Sequence, residues 1–273
     1  MILAFVAAGI GNLIRTKLIK HHFTLFLNIA VSISASCFIY AALLKIAEMA
    51  FNVPSIHEAG YICSMLFIIP GFPFITSGID LAKLDLRSGL ERLAYAIIIV
   101  MVATMFAWIM ALLLRLQPMD FEDLNLTPVL HLILRLIMSF FGVFGFSIMF
   151  NSPAPMAATA ALIGSIANSL RLELVDLTGM PAPAAAFAGA LTAGLLASFI
   201  KENNGYPRIS LTVPSIVIMV PGLYLYRAIY NFGIMALSDA VSWFASAIMI
   251  IIALPLGLIF ARILTDKTFR YCT

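Results

Sequence analysis

The chain has 273 residues, 63% of them hydrophobic and 11% charged, with a mean hydropathy of +1.07. A soluble domain carries about 25% charged residues, so this composition excludes a chain that covers itself with polar surface, and its main solvent is lipid. The net charge is only +3 and the basic residues stand in short groups, which leaves a nucleic-acid-binding reading without support.

A helix that crosses a bilayer needs roughly 20 mostly apolar residues. Nine segments meet or approach that length: 2–14, 22–45, 58–80, 93–115, 128–150, 153–170, 182–200, 209–231 and 240–264. The sequence therefore predicts an all-α, polytopic membrane protein of about nine transmembrane helices. The first segment is too short to cross comfortably, and it lacks the basic n-region and cleavage site of a signal peptide. The sixth and seventh are short and rich in Ala and Gly, which suits close helix packing.

Lys and Arg bias the orientation. One set of alternate loops, with the C-terminal tail, holds Arg15, Lys17, Lys20, Lys83, Arg87, Arg92, Lys201, Arg208, Arg262, Lys267 and Arg270. The opposite set holds Lys45, Arg115, Arg171 and Arg227. The bias puts the tail in the cytoplasm of a bacterial-type inner membrane and residue 1 outside. The acidic loop of Asp120, Glu122 and Asp123 then falls outside.

The chain repeats itself. "AAGIGNLI" from Ala7 has a counterpart, "AALIGSIA", 153 residues later at Ala160. "IIPGFPF" and "MVPGLYL" place Pro70-Gly71 and Pro221-Gly222 at an offset of 151. Segments one to four thus correspond to six to nine. Matched segments are five apart, an odd number, so they cross in opposite directions, as in the inverted-topology repeats of secondary transporters. The expected repeats are 1–117 and 128–273. The segment at 128–150 has no counterpart in the first repeat, so that repeat is expected to lack its first helix, which a longer chain, an oligomer or a partner polypeptide would supply.

Broken backbone at membrane depth is tolerated only where it is buried in protein or lines a cavity. Pro70, Gly71 and Pro73 interrupt one span and Pro221-Gly222 the other. Either these are kinks, or they shape a substrate site near the midplane. After the first break come Thr76, Ser77 and Asp80; after the second come Tyr224, Tyr226, Arg227 and Asn231. At an offset of 151, Thr76 matches Arg227 and Asp80 matches Asn231. Each pair is spaced i, i+4 on one helix face. Arg227 is the candidate clamp for a carboxylate, and Asp80 the candidate for an ammonium or a coupling proton. The competing reading solvates both at the interfaces.

Other polar residues carry less. Arg135 is expected to snorkel outward from its span. Asn28, Ser32 and Ser36 form one helical stripe, read first as helix packing and second as pathway lining. Asn151, Ser152, Asn168 and Ser169 flank a sixth segment that is either partly re-entrant or cavity-lining. Trp108 and Trp243 anchor at an interface or pack. Cys37, Cys63 and Cys272 are scattered packing residues, and no cofactor or metal motif is present.

The stretch from Ile68 to Leu93, "IIPGFPFITSGIDLAKLDLRSGLERL", resembles the first membrane domain of the threonine/serine exporter family. "FNSPAPMAATAALIGSIANSL" from Phe150 and "VPSIVIMVPGLYLYRAIY" from Val213 resemble that family's second membrane domain. The resemblance implies export of small amino acids coupled to the proton gradient. A two-subunit relative of the family is linked to succinate export, so a dicarboxylate stands as the second substrate class. A membrane-embedded enzyme would need convergent His, Asp or Glu, and His21, His22, His57 and His131 lie at separate ends of the segments. A non-transporting membrane subunit is the remaining reading.

Overall fold

The computed structural model describes residues 2–51, 57, 59–118 and 126–270. Asp120, Glu122 and Asp123, together with Glu58 and Cys272, lie outside the described residues. The regular structure described is all helical. In chain order it comprises α1 (Ile2–Lys20), α2 (Leu25–Phe51), α3 (Gly60–Met65), α4 (Gly71–Ala82), α5 (Leu86–Leu114), α6 (Pro128–Met149), α7 (Ala154–Thr178), α8 (Ala182–Asn204), α9 (Arg208–Val217), α10 (Gly222–Gly233), α11 (Leu237–Thr265) and α12 (Lys267–Arg270).

The helices outrun the apolar segments from which they were predicted. α1 continues through Arg15 and ends with Lys17 and Lys20 in its last turn, where cations suit the negative end of the helix dipole. Most Lys and Arg residues assigned to loops in the orientation count are in fact helical: Lys45 in α2, Arg92 in α5, Arg171 in α7 and Arg227 in α10.

Six helices are individually long and apolar enough to cross a bilayer: α1, α2, α5, α6, the Ala182–Ile200 part of α8, and α11. Two more candidates are interrupted pairs, Gly60–Ile68 with Gly71–Ala82 and Arg208–Val217 with Gly222–Gly233. The described residues thus give up to eight candidate spans rather than nine. The missing one is α7, where Asn168, Arg171, Glu173 and Asp176 dilute the apolar character. α7 runs unbroken for 25 residues, which overturns the re-entrant reading. Asn151, at φ 60°, belongs to the turn that precedes it.

The chain packs as two compact units. The first comprises Met1–Pro70, Tyr95–Leu124 and Gly222–Ala245; the second comprises Gly71–Ala94, Asn125–Pro221 and Ser246–Thr273. The division falls at Pro70/Gly71 and at Pro221/Gly222, so each unit draws on both halves of the sequence instead of following 1–117 and 128–273. A broken helix permits this, because its two pieces are free to pack against different neighbours.

In the first unit, α1, α2 and α3 pack on one another and α10 packs on α3. Tyr61, Ile62, Met65, Ile33, Cys37 and Tyr226 form its core. In the second unit, α7 packs on α6, α8 and α9, and α4 packs on α9. Its core is built from small side chains, with Ala157, Ala160, Ala161, Ala186, Ala190 and Ala193 fully buried, so backbones approach closely. Large exposed apolar residues such as Phe5, Leu13, Met101 and Leu113 are what a lipid solvent requires.

The two units share one packing scheme, with α1, α2, α3 and α10 in the roles of α7, α8, α9 and α4. The offset of 151 runs through the backbone as well. α4 and α10 are both 12 residues long and start 151 apart; α5 and α11 are both 29 residues long at the same offset. Leu84 and Met235, also 151 apart, both take left-handed φ of 62°. The turns around them close with matching bonds, Asp85 N to Asp80 O and Ala236 N to Asn231 O.

Candidate functional site

Each Pro-Gly break interrupts the helical hydrogen-bond ladder for a local reason. Before Pro70 the chain tightens into a 3-10 turn over Leu66–Ile68, and Ile69 turns extended at φ −58°, ψ 123°, the conformation favoured by a residue before proline. Before Pro221 the last bonds are also three-residue turns, Met219 N to Ile216 O and Val220 N to Val217 O. Proline offers no N–H, so carbonyls at the end of α3 and α9 are left over. Pro73 is not part of the break. It sits in the first turn of α4, where proline costs no hydrogen bond.

Two arginines that sequence reasoning placed in loops serve these leftover carbonyls. In the first unit, Arg15 of α1 donates through Nη1 to Phe67 O at 3.4 Å. In the second, Arg171 of α7 donates through Nη1 to Met219 O at 3.5 Å. Both bonds are long and individually weak. Their recurrence puts one cation beside each break.

The glycines of the breaks are tightly packed. A Cβ on Gly71 would lie 2.6 Å from Val217 Cγ2, in the second unit. A Cβ on Gly222 would lie 2.9 Å from Leu66 Cδ2, in the first unit.

The expected site residues fall into both units. In the second unit, Thr76 and Ser77 are buried in α4, and their hydroxyls donate back to their own helix, Thr76 to Phe72 O at 3.0 Å and Ser77 to Phe74 O at 2.9 Å. Asp80 lies in the last turn of α4, with Oδ2 3.0 Å from Arg92 Nη1. Arg92 was read only as a loop charge.

In the first unit, Arg227 is buried in α10 at 8% exposure. Its guanidinium carbon stands 4.8 Å from the centroid of the Trp243 ring, within cation–π range. Tyr224 meets the same ring edge-on at 5.1 Å. Asn231 donates through Nδ2 to Arg227 O at 2.9 Å, one turn along. Trp243 is therefore a wall for Arg227, and Trp108 packs on Gly233, whose Cβ would fall 2.4 Å from it.

A fully buried polar contact of the first unit was not foreseen. Tyr61 of α3 and Tyr226 of α10 bring their hydroxyls to 2.6 Å, with both side chains fully buried. Their rings cross at 85° with centroids 5.7 Å apart. A hydroxyl left alone in such a place costs roughly 1–3 kcal/mol, whereas removing both partners is close to neutral. Tyr61→Phe and Tyr226→Phe are each expected to lower the thermal stability of the detergent-purified protein, and the double substitution to recover most of the loss. A double variant that merely adds the two losses would remove the hydroxyl pair from the stability of this unit.

The remaining polar residues are structural. Ser36 of the α2 stripe donates to Ala7 O of α1 at 3.4 Å and so joins two helices, while Ser32 donates within α2 to Asn28 Oδ1 at 3.2 Å. Arg135 does not snorkel; it joins α6 to α7 through Glu173 at 2.7 Å and through Asp176. Asn168 Nδ2 donates to Ser139 Oγ at 2.8 Å across the same helix pair. Among the described residues, no group of three His, Cys, Asp or Glu could hold a metal ion.

Comparison with known families assigns both halves. A model described as "Putative threonine/serine exporter" matches residues 1–114, and one described as "Threonine/Serine exporter, ThrE" matches residues 135–264. No curated protein and no solved structure gives a match. The two family matches run in order along the chain and each contains one Pro-Gly break. The chain belongs to the threonine/serine exporter family.

Proposed function

We propose that this multi-pass membrane protein is a secondary active exporter of threonine and serine, driven by proton antiport. The observation that carries this reading is the pair of Pro-Gly breaks, 151 residues apart, each with an arginine at its leftover carbonyls. Interrupted helices at matching places in two inverted repeats are how secondary transporters build a site near the membrane midplane. The family matches support the substrate class. In this reading residues 1–117 and 128–273 are the two repeats, and the C-terminus is cytoplasmic, with the Lys- and Arg-rich ends of the helices on that side. Arg227 takes the carboxylate. Asp80 exchanges its pairing with Arg92 for a proton during the cycle.

The test is efflux of labelled threonine, serine and succinate from vesicles containing only this chain, with and without an imposed pH gradient. Gradient-dependent efflux of threonine or serine is the expected result. Efflux of succinate alone would replace the substrate class, and no efflux from folded protein would overturn the exporter reading for this chain acting alone. An Asp80→Asn protein is expected to lose the response to the pH gradient.

A further inference from the structure

The second unit contains a cavity of about 180 Å³ that none of the candidate site residues above lines. Its wall combines Ile79 of α4 and Lys83 in the turn just after it, Arg208 and Thr212 of α9, and Arg262 and Asp266 at the end of α11. At roughly 30 Å³ for each water, the space suits one small metabolite.

The cavity carries a surplus of positive charge. Its single carboxylate, Asp266, is engaged by Arg262 Nε at 3.3 Å and by the backbone N–H of Phe269 at 3.2 Å, where it caps α12. Arg208 donates to Thr265 Oγ1 at 2.9 Å and to Gly194 O at 3.3 Å. Asp266 also acts electrostatically on Arg208, so the lining sets three cations, Lys83, Arg208 and Arg262, against one carboxylate. Arg208 also opens α9, so the positive end of that helix adds to the same field.

The repeat marks this cavity as a feature of one half. At the offset of 151, the lining positions Ile79, Thr212 and Ile259 correspond to Tyr230, Tyr61 and Trp108 of the first unit. Lys83, Arg208 and Arg262 correspond to Ile234, His57 and Ala111. None of the three cations is duplicated, and aromatic side chains stand in place of the smaller ones. An exporter collects solute on one face only, and the Lys/Arg bias assigns Lys83, Arg208 and Arg262 to the cytoplasmic face.

We propose that this cavity is the cytoplasmic loading site of the exporter and that Lys83 and Arg208 hold the carboxylate of the incoming solute there. The assignment rests on the exporter reading. It deepens that reading by naming a second, earlier carboxylate site, separate from Arg227.

The experiment measures export kinetics with threonine or serine supplied at the cytoplasmic face, for the wild type, Lys83→Gln, Arg208→Gln and Arg208→Lys. Lys83 is exposed, so its replacement leaves the fold intact. The glutamine variants are expected to raise KM by about tenfold or more, the effect of losing one charge-assisted hydrogen bond, with the saturating rate unchanged. Arg208→Lys is expected to recover part of the difference. Threonine amide, which lacks the carboxylate, is expected not to compete with threonine. Unchanged KM in both glutamine variants overturns the loading site. So does a wild-type rate that follows the acidic-lipid content of the vesicles and loses that dependence in Arg208→Gln, since the cavity would then hold a lipid phosphate. If the wild type exports neither amino acid, the exporter reading fails by itself. Equilibrium binding of threonine and of succinate to the same four purified proteins then decides the cavity: weaker binding in the glutamine variants supports it, and equal binding overturns it.

Discussion

Arg227→Gln is expected to abolish export while leaving the protein folded. The guanidinium is held at 8% exposure over Trp243, and Tyr224 braces the ring from its edge. A charge kept in that position within a membrane helix is costly, and such residues mark solute pathways by default. Arginine rather than lysine belongs there, because its planar fork both stacks on an aromatic face and binds a carboxylate through two parallel bonds. Truncating one partner of a desolvated charge pair costs roughly 2–5 kcal/mol, which is about 30-fold to several thousandfold in rate or affinity. The measurement is the initial rate of threonine efflux, normalised to the folded fraction from size-exclusion chromatography. Arg227→Lys keeps the charge and loses the fork, so it is expected to fall between the wild type and Arg227→Gln. If Arg227→Gln exported at the wild-type rate, the carboxylate clamp would have to be sought elsewhere. If its folded fraction fell in step with its rate, Arg227 would be a packing residue of α10.

Much of this arrangement was legible in the sequence, because it is written in local patterns. Apolar length gives the spans, and the Pro-Gly pairs give both breaks and the offset of 151 that the backbone then repeats in α4 and α10. Helix ends were less legible. Polar residues such as Arg15 and Lys17 look like loop in an apolar count, yet they continue α1, and Arg15 reaches Phe67 O. Pro73 looked like part of the break because composition does not separate a first-turn proline from an interior one. The contacts between helices were not legible at all. Tyr61 with Tyr226, Arg92 with Asp80 and Arg135 with Glu173 join residues 165, 12 and 38 apart, and no spacing rule links them. The cavity was hidden for the same reason. Its cations were visible only as evidence for orientation, although three helices bring them together.

Two glycines of the second unit should respond to the same substitution in opposite directions. Gly164 lies in α7, and a Cβ there would stand 2.6 Å from Ser215 O, 3.0 Å from Ser215 Cα and 2.7 Å from Val143 Cγ2. Two of these neighbours are backbone and the third is a stiff β-branched side chain, so none can yield cheaply. Overpacking of this kind costs roughly 1–3 kcal/mol for one methyl and more for a branched side chain. Gly145 in α6 has nothing within 4 Å of its Cβ position. Alanine there only removes the conformational entropy of a helical glycine, a gain of roughly 0.5–1 kcal/mol. Gly164→Ala is therefore expected to melt at a lower temperature than the wild type, Gly164→Val lower still, and Gly145→Ala slightly higher. The effect extends to transport through α9. Ser215 fastens α9 to α7 by donating to Ala160 O at 2.9 Å, and α9 carries Arg208 and Thr212 of the basic cavity. Displacing α9 moves those residues relative to Lys83 and Arg262. Gly164→Val is accordingly expected to lose export even where it remains folded, while Gly145→Ala exports like the wild type. Equal melting temperatures for Gly164→Ala and Gly145→Ala would show that α7 and α9 can separate at little cost, and the close contact at Gly164 would then not be what positions Arg208.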